Sequence, residues 1–264
     1  MCQVIVITSG KGGAGKTTAV AGIGAALAAQ KNKVVLVDTD IGLRNLDVIL
    51  GLEDRILFDI VDVAEGECDL KHALVRHTEH ETLFLLPAAQ TSDKGSVSPQ
   101  TMREMVDKLR DDADYVLIDC PAGIGSGFKS AVAGADSAVV VTNPEVSAVR
   151  DADRVIGLLA AYDLPAPRLI INKIRPGMVR RGDMMSVSDI LEVLNASLLG
   201  IVPDDEAVIK AGNIGRSVAD MDSPAALAFR NIASRIMGVE TESARAVKKR
   251  SRGFWKRLLG GAQA

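Results

Sequence analysis

The chain has 264 residues, of which 47% are hydrophobic but only 3% aromatic, and its formal net charge is −3 at pH 7. This length and apolar content allow a full buried core within a single α/β domain. The three cysteines, Cys2, Cys68 and Cys120, are odd in number and far apart, which excludes a disulfide framework and a CxxC metal or redox site. The sequence has no N-terminal signal and no apolar run near the roughly 18 residues that span a bilayer, so we expect a cytoplasmic protein that is not integral to a membrane.

The predicted strands are short apolar runs rich in Val, Ile and Leu. They cover residues 3–8, 33–38, 82–88, 115–120, 137–142, 168–173 and 198–203. Stretches long enough for helices lie between several of these runs and after the last one, at residues 16–30, 98–112, 147–162 and 223–238. Continuous apolar runs indicate strands that are buried on both faces. Their alternation with helices predicts an α/β fold with a doubly wound, mostly parallel sheet that binds its ligand at the carboxyl ends of the strands.

A glycine-rich segment, GKGGAGKTT, follows the first predicted strand at residues 10–18. It fits the pattern GxxxxGK(S/T) through Gly10, Gly15, Lys16 and Thr17. In this pattern the glycines let backbone N–H groups surround phosphate oxygens, the lysine neutralises the β- and γ-phosphates, and the hydroxyl binds Mg²⁺. A helix that begins here adds the positive end of its dipole. The alternative is a turn that binds nothing, but a strand before the loop and a helix after it favour a phosphate site.

Three aspartates lie at the ends of predicted strands. Asp38 and Asp40 are two residues apart in VDTDIG, and Asp119 ends the apolar run of LIDCPAG. Extended residues two apart point the same way, and phosphoryl transfer requires one carboxylate near Mg²⁺ and another near the attacking water. We therefore predict that Asp119 holds Mg²⁺ through a water molecule and that the other two lie nearby. The alternative for each aspartate is a helix or turn cap.

The segment NKIR at residues 172–175 indicates which base is bound. Guanine-specific P-loop proteins carry NKxD, whose Asp accepts hydrogen bonds from guanine. This chain has Arg175 at the Asp position, and arginine can only donate. Adenine is therefore favoured, with Asn172 as a nucleotide-binding residue; the alternative is that Asn172 is only a strand-end residue.

The histidines of the chain, His72, His77 and His80, lie within nine residues. Their spacing places at most two of them on one face of a helix, and no cysteine or acid cluster completes a zinc shell. We therefore expect solvated loop side chains.

Several motifs together resemble the MinD/ParA family of P-loop ATPases, whose phosphate loop carries an additional, early lysine. They are SGKGGAGKTT at 9–18, with Lys11 as the early lysine, DTDIGLRNLDVILGLE at 38–53, DCPAGI at 119–124, TNPEVSAVRDADRVIG at 142–157 and RGDMMSVSDILEVL at 181–194. The resemblance covers nearly the whole chain and is strongest to the septum-site members of the family.

The resemblance implies an ATPase that requires Mg²⁺ and in which two subunits enclose ATP. The ATP-binding residues that it implies are Gly10, Lys11, Gly12, Gly13, Ala14, Gly15, Lys16, Thr17, Thr18 and Asn172. Lys11 would reach the partner's nucleotide and stabilise transition-state charge, as an arginine finger does, while Lys16 serves the phosphates of its own subunit. Asp40 would position the water, and Thr17 and Asp119 would handle Mg²⁺. Asp38 would be a switch residue and a further candidate metal ligand.

The segment EVSAVRDADR at residues 145–154 resembles the surface at which the family's regulators dock, notably through Arg150, Asp151 and Asp153. The alternative is a solvated helix face with ordinary charge pairs between residues i and i+3. The partners implied by the resemblance are a second copy of the chain, the septum inhibitor MinC and a topological regulator, either MinE-like or a polar scaffold. No nucleic acid is expected.

The end of the chain has a different composition, because every charged residue after Glu242 is basic. Removing these seven charges takes the net charge from −3 to −10. On a helix the apolar side chains share one stripe and most of the basic ones lie on the other side: the apolar set is Val247, Phe254, Trp255, Leu258 and Leu259, and the basic set is Lys248, Lys249, Arg252, Lys256 and Arg257. We predict an ATPase domain at 1–240 and, at 241–264, a linker and amphipathic tail that binds anionic lipids on the cytoplasmic face of the membrane. The alternatives are a helix for a partner protein, a nucleic-acid arm and a helix packed on its own domain.

The function that the resemblance favours is an ATPase that dimerises on ATP, binds the membrane through its tail and recruits a division inhibitor to place the septum, with hydrolysis releasing it. One alternative is a related ATPase that positions flagella or partitions chromosomes or plasmids. Another is a non-catalytic scaffold or iron–sulfur carrier. The negative charge of the chain before the tail counts against DNA binding, and the absence of CxxC counts against an iron–sulfur site.

Overall fold

A computed structural model describes residues 1–92 and 95–239 of the chain. The predicted linker and tail at residues 241–264 lie outside the described residues, and so do the membrane-binding side chains assigned to them. The domain boundary near residue 240 and the amphipathic helix therefore stay predictions. Within the described part of the chain, no helix combines the length and the apolar composition needed to cross a bilayer.

The strands form one sheet, and the structure confirms the predicted doubly wound, mostly parallel arrangement. In their order across the sheet they are β3 (Val75–Arg76), β4 (Leu83–Leu86), β2 (Val34–Asp38), β5 (Tyr115–Asp119), β1 (Gln3–Thr8), β6 (Ser137–Thr142), β7 (Arg168–Ile174) and β8 (Ser197–Pro203). Neighbouring strands are parallel except β3 and β4, which are antiparallel. Strand β3 was not predicted because two residues are too few to show a pattern.

The central residues of the strands are largely apolar because both faces of the sheet are covered. In β1, Val4 and Val6 belong to the core on one face, and Ile5 and Ile7 belong to the core on the other face. All four side chains are fully buried. Successive side chains of a strand point to opposite faces, so a strand between two cores needs an apolar residue at every position.

The helices divide between the two faces. Helices α1 (Lys16–Ala28), α2 (Leu46–Leu50), α10 (Glu206–Asn213) and α11 (Pro224–Ile236) contribute to the core that contains Ile5. The core that contains Val4 is completed by α3 (Ile60–Glu65), α4 (Leu70–Ala73), α5 (Pro99–Arg110), α6 (Ser126–Ala133), α7 (Val146–Leu159) and α9 (Val187–Leu194). Helix α8 (Pro176–Arg181) has no buried residue.

The histidine segment differs from its prediction. His72 is exposed as expected, but His77 is 4% exposed and its Nδ1 accepts hydrogen bonds from the backbone N–H groups of Glu79 and His80, both at 3.1 Å. The Nε2 of His80 lies 3.0 and 3.1 Å from the two carboxylate oxygens of Asp220. The expectation of solvated side chains is therefore wrong for His77 and His80. The prediction failed at His80 because its partner, Asp220, lies 140 residues further along the chain.

The contact between His80 and Asp220 predicts a pH-dependent contribution to stability. The hydrogen bond to Asp220 raises the pKa of His80, while burial lowers the pKa of His77. A group whose pKa is raised on folding stabilises the protein fully below its unfolded pKa, about 6.5, and loses this contribution as pH rises through the folded pKa. We expect His80→Gln to lower the free energy of unfolding by about 1.5–3 kcal/mol near pH 6 and by less near pH 8.5.

Denaturant titrations of the wild type and of His80→Gln at both pH values measure this difference. The charge of His80 also lowers the pKa of His77, so the measured pH dependence is that of the pair of histidines. The exposed His72→Gln serves as the control and is expected to leave stability nearly unchanged at either pH. An effect of His80→Gln that is equal at the two pH values would contradict the predicted protonation.

Candidate functional site

An open cleft of about 1310 Å³ lies at the carboxyl edge of the sheet. Several chain segments line it, including the phosphate loop, the loop after β2, the start of α7, the end of β7 and the β8–α10 junction. Of the predicted site residues, the cleft is lined by Gly12, Gly13, Gly15, Lys16, Thr17, Thr18, Asp40 and Asn172. The structure therefore brings together residues that lie as far apart in sequence as the phosphate loop and β7, at the carboxyl edge of the sheet where a ligand site was predicted.

The phosphate loop connects β1 to α1 and adopts a conformation that depends on glycine. Gly13 has φ of 77° and Gly15 has φ of 93°, both in the left-handed region that favours glycine. Gly15 precedes the first residue of α1, Lys16, and no side chain caps this helix start. The first N–H groups of a helix have no partner within the helix, so they can donate to phosphate oxygens.

Gly10, at the start of the loop, lies directly against α7. A Cβ atom at this position would be 2.1 Å from the backbone carbonyl carbon of Asp151 and 2.6 Å from the backbone nitrogen of Ala152. Neither backbone atom can move without shifting the helix. The first glycine of the motif is therefore required by a tertiary contact.

Lys16, Thr17 and Asp119 form the inner part of the site. Lys16 is 7% exposed and Asp119 is 1% exposed. Burial raises the pKa of Asp119 well above its ordinary value, and the neighbouring carboxylate of Asp38 raises it further, while a hydrogen bond from Thr17 and the charge of Lys16 lower it. The Oδ1 atom of Asp119 is buried and has no hydrogen-bond partner.

These donors fit a hydrated Mg²⁺ ion. The unpartnered carboxylate oxygen of Asp119 and the hydroxyl of Thr17 beside it are oxygen atoms, which Mg²⁺ prefers, and this ion usually keeps several of its waters. A dication at this edge would favour the ionised form of both buried carboxylates. Thr17 and Asp119 are thus the residues that would hold the ion.

Asp38 supports the loop that carries Asp40. It ends β2 directly beside Asp119 on β5. Its Oδ1 accepts from the backbone N–H of Asp40 at 2.9 Å and its Oδ2 from the N–H of Leu46 at 3.4 Å. Burial raises the pKa of Asp38 to about 6. Both oxygens serve the backbone, as in the turn-cap alternative, and direct coordination of a metal by Asp38 stays a prediction.

Lys11 and Asp40 occupy the outer part of the site. Asp40 is half-buried and lines the cleft. The side chain of Lys11 is 51% exposed, and its Nζ lies 3.9 Å from Oε2 of Glu145, the residue before α7. Lys11 therefore points toward the surface of its own subunit and makes at most a weak ion pair there.

The end of β7 contacts the phosphate loop and lines the cleft beside it. Nδ2 of Asn172 donates to the carbonyl of Ala14 at 2.8 Å, and Nζ of Lys173 donates to the carbonyl of Gly13 at 3.0 Å. The sequence reasoning assigned Asn172 to ATP and gave Lys173 no role. Contact of Asn172 with the base stays a prediction. The signal for Lys173 was its place directly after Asn172 in NKIR.

Helix α7 carries the predicted regulator surface. Arg150 and Asp153 are exposed and Asp151 is half-buried. Asp151 lies 3.6 Å from Arg154 in the i, i+3 pair that the alternative interpretation expected. The same helix contacts the phosphate loop at Gly10 through the backbone of Asp151, so the predicted regulator surface adjoins the loop at this residue.

Comparisons with known proteins agree with this geometry. Residues 5–218 match the family model of the CobQ/CobB/MinD/ParA nucleotide binding domain. The chain is 52% identical over 261 residues to the septum site-determining protein MinD of Bacillus subtilis (strain 168), covering 98% of this chain and 97% of that protein.

Solved structures are similar as well. A chain of the MinC:MinD cell division protein complex of Aquifex aeolicus has a TM-score of 0.85 and 46% identity, covering 91% of this chain and 97% of that one. The septum site-determining protein MinD of Pyrococcus horikoshii OT3, complexed with Mg-ADP, has a TM-score of 0.81 and 31% identity, covering 89% and 96%.

The contact at Gly10 predicts a strong effect of a single methyl group. We expect Gly10→Ala to lower the free energy of unfolding by at least about 1–3 kcal/mol, because the added atom overlaps the backbone of α7, and to abolish detectable ATP binding. Gly157→Ala is the matched control, since Gly157 lies on the same helix with open space around it and alanine favours a helix by up to about 1 kcal/mol. Denaturant unfolding and calorimetric titration with ATP measure both effects. Equal behaviour of the two variants would contradict the assigned contact.

Proposed function

This chain belongs to the MinD septum site-determining proteins of the CobQ/CobB/MinD/ParA nucleotide-binding family, and from this premise we propose that it is an Mg²⁺-dependent ATPase whose ATP-bound homodimer binds the cell membrane and recruits a division inhibitor. Hydrolysis of ATP to ADP and phosphate separates the dimer and releases the protein.

The inner site accounts for binding of the triphosphate. The N–H groups of the phosphate loop and of the first turn of α1 bind phosphate oxygens, and Lys16 neutralises charge on the β- and γ-phosphates. Thr17 and Asp119 would hold Mg²⁺, which would supply positive charge to neutralise the phosphates. Asp40 lines the same cleft, is half-buried and orients the attacking water. Catalysis of this kind depends on position and electrostatics more than on covalent chemistry.

The rim of the cleft is the observation that carries the proposal of a dimer. Leu43, Val48, Val146 and Ile209 line the cleft, yet between 47% and 71% of each side chain is exposed. A cluster of exposed aliphatic side chains on a soluble domain marks an interaction surface. A second subunit that covers this rim would close the cleft over the nucleotide, exclude water and strengthen each charge contact inside it.

Lys11 fits the same arrangement. Its amino group is half-exposed and its contact with Glu145 is long at 3.9 Å, so little free energy is lost when it leaves. Lys16 already serves the phosphates of its own subunit. A second cation supplied by the partner can stabilise charge that develops on the γ-phosphate during transfer, which makes hydrolysis depend on dimerisation.

The predicted tail connects dimerisation to the membrane. One short amphipathic segment with a single apolar stripe is a weak, reversible anchor, because ordering its backbone offsets much of the free energy gained by burial. Two such tails on one dimer gain roughly 10² to 10⁴ in avidity without any new contact. ATP thereby controls membrane binding, because the dimer that forms with ATP presents two tails to the membrane and the monomer presents one.

The exposed face of α7 supports a docking site for regulators. The Aquifex aeolicus relative is part of a MinC:MinD complex, and we extend a MinC partner to this chain. A regulator bound at Arg150, Asp151 and Asp153 would contact the helix whose backbone touches Gly10 of the phosphate loop. A stimulator of hydrolysis, either MinE-like or a polar scaffold, can act through the same helix.

The rate of hydrolysis tests the paired active site. We expect the ATPase rate per subunit to rise with protein concentration and to rise further with anionic vesicles, since both increase the fraction of dimer. Lys16→Ala should abolish hydrolysis at every concentration. A rate per subunit that stays constant with protein concentration, both with and without vesicles, would refute the shared site.

In the same samples, sedimentation of the protein with vesicles should be greater with ATP than with ADP, and deletion of residues 245–264 should remove this sedimentation.

Two variants separate dimerisation from water positioning. We expect Lys11→Ala and Asp40→Ala each to lower the maximal ATPase rate by about 10³-fold or more. Asp40→Ala should still sediment with vesicles in the presence of ATP, because its dimer forms but does not separate by hydrolysis. Lys11→Ala should not sediment, because the trans contact that favours the dimer is lost.

The control for these variants is Lys71→Ala, an exposed lysine whose Nζ pairs with Asp112 at 3.3 Å. It should match the wild type in both assays. Normal turnover by Asp40→Ala would remove Asp40 from its role, and ATP-dependent sedimentation of Lys11→Ala equal to the wild type would remove Lys11 from the interface. A fluorescent fusion that locates to the nucleoid instead of the membrane would favour the partition alternative.

A further inference from the structure

We propose that Lys173, together with Asn172, is a positioning residue that fixes the phosphate loop in its binding conformation and thereby sets the affinity for the nucleotide. The inference deepens the proposed function, because it assumes that the loop binds the phosphates of ATP. It gives the end of β7 a task that is separate from contact with the base.

The argument begins with the carbonyl groups of the loop. A loop that turns consecutive N–H groups inward toward an anion turns its carbonyl groups outward, and these need partners of their own. The carbonyls of Gly13 and Ala14 find them at the end of β7, where Lys173 Nζ donates to the first at 3.0 Å and Asn172 Nδ2 donates to the second at 2.8 Å. Residues of β7 therefore hold two adjacent peptide groups of the loop.

Both contacts improve the donors that face the phosphates. A hydrogen bond to a carbonyl polarises its peptide group and strengthens the N–H on the other side of that group. The carbonyl of Gly13 shares a peptide group with the N–H of Ala14, and the carbonyl of Ala14 shares one with the N–H of Gly15. Since Lys173 is a cation, its contact with the carbonyl of Gly13 is charge-assisted, and its charge also adds to the positive potential of the loop.

The backbone at Lys173 has an unusual conformation that makes the double contact feasible. Its φ is 57°, in the left-handed region that costs a residue with a side chain free energy. In a regular strand, successive side chains point to opposite faces, so Asn172 and Lys173 could not both reach one loop. The register of β7 against β8 is irregular between Ile171 and Ile174, and this break lets both side chains contact the loop.

Asn172 is itself fixed in place by Lys173. Its Oδ1 accepts from the backbone N–H of Lys173 at 2.9 Å, which orients Nδ2 toward the loop. A Cβ atom at Gly15 would lie 2.2 Å from this Nδ2, so the amide packs directly against the loop. Asn172 is 7% exposed, and its position leaves little freedom for the amide to turn away.

The experiment compares three substitutions at residue 173. Lys173→Met removes the charge and the donor, Lys173→Arg keeps a charge, and Lys173→Gly removes the side chain while accepting φ of 57° and keeping the N–H that binds Asn172. Lys71→Met is the control for loss of an exposed lysine at a distance. Calorimetry gives Kd for ATP and ADP, thermal unfolding gives the melting temperature, and amide hydrogen exchange of the nucleotide-free protein reports on Ala14 and Gly15.

We expect Lys173→Met and Lys173→Gly to raise Kd for both nucleotides by about 10- to 100-fold and to speed amide exchange at Ala14 and Gly15. Lys173→Arg should recover part of the affinity, and Lys71→Met should bind as the wild type does. Lys173→Gly should keep its melting temperature within about 4 °C of the wild type, because relief of the strained φ offsets the added freedom of the unfolded chain. A merely structural lysine would change the melting temperature and leave Kd nearly unchanged.

Wild-type affinity in Lys173→Gly, or unchanged exchange at Ala14 and Gly15, would overturn the proposal. Binding and exchange are measured without turnover, vesicles or a partner. A failure of dimer-dependent hydrolysis would therefore leave this test intact, and the two hypotheses can fail separately.

Discussion

The phosphate loop depends on direct contact between its backbone and two neighbouring elements. Gly10 lies against the backbone of α7 at Asp151, and Gly15 lies against the amide of Asn172 at the end of β7. The loop has no regular secondary structure to hold it, and fixing its glycines in one conformation costs more conformational entropy than fixing other residues does. Since α7 and β7 are anchored in the apolar layers of the sheet, the loop takes its rigidity from the core.

The same edge of the sheet concentrates charge where water is scarce. Asp38 and Asp119 end adjacent strands in register, and Lys16 is buried close to them. Burial raises the pKa of both carboxyl groups, and Lys16 partly counters this at Asp119. Charges in a low-dielectric site interact strongly with whatever arrives. The arrangement therefore suits a ligand that combines a metal ion with phosphates, because a metal ion is attracted to the buried carboxylates and phosphates are attracted to Lys16.

Helix α7 relates this inner site to the surface of the protein. Its backbone touches the phosphate loop, the residue before its first turn lies near Lys11, and its exposed face carries Arg150 and Asp153. A small shift of a rigid helix moves all of its contacts together. The docking of a regulator, the placement of Lys11 and the shape of the loop are thus linked by one element in the function that we propose.

The sequence by itself determined the main strands, the four longest helices and the phosphate loop of this protein. Apolar runs specified the main strands because buried parallel strands leave no polar position, and GKGGAGKTT specified a phosphate loop because few other sequences fit that geometry. Only the tertiary structure decided the contact of Lys173 with Gly13, the burial of His77 and the contact of His80 with Asp220. Lys173 and Gly13 are 160 residues apart, and His80 and Asp220 are 140 apart. Local patterns encode burial and backbone conformation, whereas a hydrogen bond between distant residues depends on which strands become neighbours in the folded sheet.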